Sequence, residues 1–140
     1  MPEPPSPQDT RSKTVVAYLD GRRLKGYVYN FSPANDRFKL FPRDDAPNSR
    51  GTEVHIKDLK AVFFVKDFIG DPAYKESQWV DPSRMGRRIE VTFADGETIK
   101  GTTDAYNPLK PGFFISPADP ECNTLRVFVV RRNARQVRLG

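Results

Sequence analysis

The octapeptide LDGRRLKG (Leu19–Gly26) returns 75 residues later as ADGETIKG (Ala94–Gly101). Sliding the chain by that offset superimposes its halves without a gap. Phe31-Ser-Pro33 falls over Tyr106-Asn-Pro108, Phe38-Lys-Leu40 over Phe113-Phe-Ile115, and Pro42 over Pro117. Further on, Val54 meets Val129 and Val62 meets Val137. Residues 15–64 hold twelve identities in fifty aligned positions, against about three from chance at average residue usage. The chain reads as a duplicated half-length unit.

Within each copy, β-branched and aromatic residues come in runs of strand length separated by turn residues, and helical spacing is absent. Thr14–Leu19 ends at Asp20-Gly21, a dipeptide that accepts the positive φ of a tight hairpin, and Leu24–Phe31 returns beside it. Glu90–Ala94, Asp95-Gly96 and Thr98–Ala105 repeat the pattern. Gly26 and Gly101 stand at the same place in the two return strands, where a missing side chain permits a sharp bend. Arg37–Phe41 and Gly112–Ser116 follow as third strands, and Glu53–Lys57 with Lys60–Val65, or Leu125–Arg131 with Arg135–Leu139, complete five per copy. The expected fold is all-β, two tandem five-stranded small barrels over residues 13–66 and 87–140. A tail of 12 residues with four prolines reads as disordered. The connection 67–86 carries Phe68, Ile69, Trp79 and Val80, too apolar for a free tether, and is expected to pack along the barrels. Phe63 and Val65 fall out of phase with the core pattern, a face suited to the sister barrel or to a second chain in a homo-oligomer.

Composition narrows the function. The 140 residues carry 23 Lys+Arg against 18 Asp+Glu, one His and one Cys. That leaves no internal disulfide and no His/Cys metal cage. No apolar run is long enough to span a bilayer, and the start lacks signal-peptide order, so a cytoplasmic chain without a membrane partner is expected. His55 alternates with Val54 and Ile56 as a strand-surface residue, and Cys122 has two acidic neighbours in sequence, which raise a thiol's pKa. Asp20 and Asp95 are turn formers. With no activated nucleophile, no catalytic group and no cofactor are expected.

The strand, Asp-Gly, apolar residue, Gly and aromatic-turn order resembles the first motif of Sm-like proteins, small SH3-like barrels, over about 27 residues of each copy. That resemblance implies an RNA-contacting Asn, which here falls at Asn35, and assembly into rings. The stretch Gly26–Asn35, with Asn30-Phe-Ser32, is also similar to the centre of PilZ domains, bacterial cyclic-di-GMP receptors. Their RxxxR element is matched by Arg84–Arg88 and by Arg131–Arg135. This second resemblance implies a cyclic-dinucleotide site drawing on Asn30, Ser32, Arg84, Arg88, Arg131 and Arg135.

Read from the residues alone, Arg22, Arg23 and Lys25 cluster after the first hairpin, while Arg126, Arg131, Arg132, Arg135 and Arg138 stud the last two strands. Arginines near Tyr27, Tyr29 and Phe41 would suit single-stranded nucleic acid, whereas arginines on edge strands also prevent self-pairing. Duplicated barrels without catalytic groups point first to a binding or adaptor module with a protein partner, and second to RNA or another single-stranded nucleic acid.

Overall fold

The computed structural model describes residues 11–29, 31–42, 51–71, 73–104 and 106–140. The expected disorder of the tail falls almost wholly outside them. The described chain forms β1 (Arg11–Tyr18), β2 (Arg23–Tyr29), β3 (Arg37–Leu40), β4 (Thr52–His55), β5 (Leu59–Val65), β6 (Arg87–Phe93), β7 (Thr98–Thr103), β8 (Gly112–Pro117), β9 (Thr124–Val130) and β10 (Ala134–Leu139). Single 3-10 turns at Ile56–Asp58 and Arg131–Asn133 join β4 to β5 and β9 to β10. The fold is all-β.

The first hairpin is set by its turn chemistry. Gly21 has φ 95° and Gly96 has φ 91°, conformations that a Cβ would oppose. In both turns the aromatic residue at the end of the leading strand brackets the loop, Tyr18 N–H donating to Arg22 O at 2.9 Å and Phe93 N–H to Glu97 O at 2.9 Å. The Asp20 carboxylate then accepts the Arg22 N–H at 3.0 Å, and Asp95 accepts the Glu97 N–H at 2.9 Å.

Eight strands form one antiparallel sheet in the order β10-β6-β7-β8-β9-β5-β1-β2, and β3-β4 form a separate ribbon joined to β2 by a bridge between Tyr27 and Phe41. This overturns the barrel expectation and with it the Sm-like, SH3-like and PilZ-like resemblances. Closing the first barrel would need the second edge of β5 to return to its own half. That edge is instead paired with β9, Ala61 opposite Val129 and Phe63 opposite Val127, so the sheet runs on into the second half and stays open. The glycines serve close approach rather than closure: a Cβ at Gly26 would stand 2.6 Å from Phe41 O.

Along β5 and along the Val127–Val130 run of β9, residues of both faces are buried or nearly so. Val62, Phe64, Phe128 and Val130 belong to one core with Val16, Val28 and Leu59. Ala61, Val127 and Val129 belong to the other with Val91, Phe93 and Ile115, and the out-of-phase Phe63 packs against it. Two side chains fasten the halves where these cores meet. Asn133 Nδ2 donates to Leu59 O at 2.7 Å, and Lys60 Nζ donates to Asp95 at 2.7 Å and to Glu97.

The segment 67–86 has no regular structure among its described residues but is tied down along its length. Asp67 N–H donates to Asn123 Oδ1 at 3.0 Å, Ser77 N–H to Asp119 at 3.0 Å, and Arg84 to Pro117 O at 2.7 Å. Phe68 meets the edge of Tyr27 at 5.3 Å, while Ile69 and Trp79 remain exposed. Among the described residues no helix is long and apolar enough to cross a membrane.

Candidate functional site

Period-2 alternation on β9 puts Arg126 on the same face as Phe128, and pairing with β8 and β5 brings Phe114 and Phe64 beside it. The guanidinium carbon lies 4.4 Å from the Phe114 ring centre and 4.7 Å from that of Phe64. These are cation–π distances. Among the described residues Arg126 makes no ion pair or hydrogen bond. Arg126 is exposed at its rim, yet partial desolvation against the rings lowers its pKa by disfavouring the charged form.

Arg126 lines a cavity of about 710 Å³ at the seam, with Thr102, Thr103 and Ser116 supplying hydroxyls and Lys110 and Asp104 opposite charges. Pro33 and Ala34, from the loop between β2 and β3, close it from the first half. The same two residues and Pro111 also border a second recess of about 490 Å³ that contains Arg37, His55, Lys57 and Arg132. Arg37 is engaged there, at 3.2 Å from both Asp36 and Glu53, which raise its pKa through hydrogen bonds, Glu53 foremost. The two recesses adjoin, and their lining cations outnumber their carboxylates.

The arginines singled out in the sequence do not converge. Arg22 pairs with Asp20 at 2.8 Å, Arg23 stacks on Phe63 at 5.4 Å, and Lys25 donates to Phe68 O at 2.8 Å. Ser32 Oγ accepts the Ala34 N–H at 3.4 Å, a local turn contact, and Asn30 lies outside the described residues. Arg84 is spent on the carbonyls of Pro117 and Ala118, and Arg131 donates to Tyr106 Oη at 2.9 Å. Arg88 lines a recess elsewhere on the molecule, and Arg135 is exposed on β10. Only Asn35 and Arg132 reach the seam, both in the smaller recess. Among the described residues the composite dinucleotide site therefore does not assemble: Arg84 and Arg131 are bonded elsewhere, and Arg88 and Arg135 stand on separate strands, β6 and β10. Arg126 stood in the sequence only as one of five arginines on the last two strands, and Phe114 and Lys110 were not joined to it; its phase with Phe128 was the available signal.

The buried Cys122 has its thiol pushed up, first by burial, with Glu76 and Asp119 adding to it. Asp119 beside it accepts from Tyr74 Oη, Ser77 N and Glu121 N, which hold its carboxyl below the ordinary range and push the Tyr74 phenol up to about 12. This cluster anchors 67–86 rather than activating a nucleophile.

The fold and site together define an open-sheet, all-β protein with a cationic, aromatic seam. The chain belongs to a family of unknown function, DUF6982, whose sequence profile matches residues 10–140. No curated protein and no solved structure matches it.

Proposed function

We propose that the protein is a non-catalytic binding module whose seam recesses take an extended segment of a protein partner. Arg126 carries the reading. A guanidinium stacked on two phenyl rings, partly desolvated and in no ion pair among the described residues, calls for an anion set among apolar groups. A partner's Asp or Glu flanked by apolar side chains supplies both, and a cavity of about 710 Å³ is of the size that encloses such side chains. The suppressed thiol of Cys122 supports a non-catalytic role. The test is affinity capture with the native protein and with Arg126→Glu, followed by lysine cross-linking and mass spectrometry. The expected result is a partner cross-linked at Lys110 whose recovery falls at least roughly tenfold with the variant, as loss of a charge-assisted contact worth about 1.5–3 kcal/mol requires. Equal recovery by both proteins, or cross-links only at sites away from the seam, would overturn the reading.

Descent of the two halves from one duplicated unit is part of the same proposal. Its support is that the hairpin turns at Gly21 and Gly96, the close-approach glycines, and the pairing of first strand with fifth (β1 with β5, β6 with β10) all recur at the offset of the sequence repeat. Cytoplasmic residence is proposed on the single cysteine, which fits a reducing compartment.

A further inference from the structure

At the β10 end of the sheet, the connection between the halves crosses strands whose outward face is charged. Arg138 stands opposite Glu90, and Glu90 opposite Lys100, so three charged side chains form one row across β10, β6 and β7. Arg88, two residues along β6 from Glu90, shares that face. Gln78–Pro82 pass alongside and leave a recess of about 520 Å³ between themselves and the row. Trp79, the sole tryptophan of the chain, lines it while remaining 67% exposed.

Two of the three cations are unspent. Among the described residues the Arg88 and Arg138 side chains make no ion pair or hydrogen bond, and Lys100 Nζ approaches Glu90 only to 3.9 Å. An indole left in water beside three cations and one carboxylate has an accessible face for a ligand. It is well matched to a ligand that presents a flat aromatic face and a negative charge at short spacing. Arg138 and Lys100 stand on either side of Glu90, two strand separations or roughly 10 Å apart, a span that phosphates of one flexible backbone can bridge.

We propose that this recess binds single-stranded nucleic acid, a base stacking on Trp79 and phosphates resting on Arg88, Arg138 and Lys100. The site shares no lining residue with the seam recesses, so it stands or falls independently of the protein-partner reading.

Trp79 is its own reporter. The experiment titrates an oligothymidylate of about a dozen nucleotides into the full chain and follows tryptophan emission. Saturable quenching is expected at low salt, and the affinity is expected to fall about 100-fold between roughly 20 and 200 mM salt, as three phosphate contacts at a slope of about −0.7 each require. In Arg88→Ala/Arg138→Ala one contact remains, and the fall shrinks to about fivefold. Arg22→Ala, in the distant first hairpin, keeps the native response. Unquenched emission at low salt, or a double variant with native affinity and salt slope, overturns the proposal. So does saturation by thymidine monophosphate at equal concentration, which would make the recess a nucleotide pocket, or equal binding of duplex DNA, whose bases are not free to stack.

Discussion

Lys60 sits on β5 with its side chain 7% exposed, and its ammonium reaches the rim of the other half, where Asp95 and Glu97 receive it above the Phe93 ring. The arrangement is asymmetric, since both carboxylates are largely in water while the ammonium is not. Lys60→Met frees two groups that water accepts and should cost about 1 kcal/mol or less. Asp95→Asn with Glu97→Gln strands a buried charge and should cost about 3 kcal/mol. Urea melts of the two variants read the difference, and equal costs would show that Lys60 is not the buried partner. The Asp95 carboxyl is held below its ordinary range, first by the Lys60 hydrogen bond. A depressed folded pKa stabilises above the unfolded value and is given up as pH falls through the folded one. Stability should therefore drop below about pH 4, and less steeply in Asp95→Asn.

At the level of strands, chemistry that acts over a few residues was legible. Asp20-Gly21 and Asp95-Gly96 declared their turns because only a few residue types take positive φ there, and the β-branched runs declared ten strands. The role of Gly101 was legible only as a bend. Its missing Cβ makes room for the Ser116 carbonyl and for Ile115 Cγ2, which would lie 2.8 Å away. Gly101→Ala should cost about 1–3 kcal/mol by forcing β7 from β8, measured as a lower urea midpoint. An unmoved midpoint would mean the strands separate freely. The partner of β5 was not legible, since a strand edge does not encode which of several distant edges it joins. A trace existed nevertheless. LKAVFFV and the VFVV run that ends β9 lack the polar alternation of one-sided strands, as expected where both faces are covered.

For the molecule as a whole, the seam makes the halves one cooperative unit. Phe128 and Val130 come from the second half yet lie in the core of the first, and Ala61 from the first lies in the core of the second. Heating should give a single transition with equal calorimetric and van't Hoff enthalpies. Two resolved transitions would show that each half is stable alone. The seam site was hidden from the sequence for the same reason as the seam itself: Arg126 and Pro33 lie far apart in the chain and meet only through the β5–β9 pairing. The arginines that looked clustered in sequence send their side chains to different partners.

That pairing also sets the order in which the chain can be completed at the ribosome. Val65 waits for Thr124, about 60 residues downstream, which at usual elongation rates is roughly 3–12 s of synthesis. Throughout that interval the nascent β5 presents a bare edge flanked by apolar side chains, an invitation to mispairing or to chaperone capture. Biogenesis, more than the finished state, is where this sheet is vulnerable.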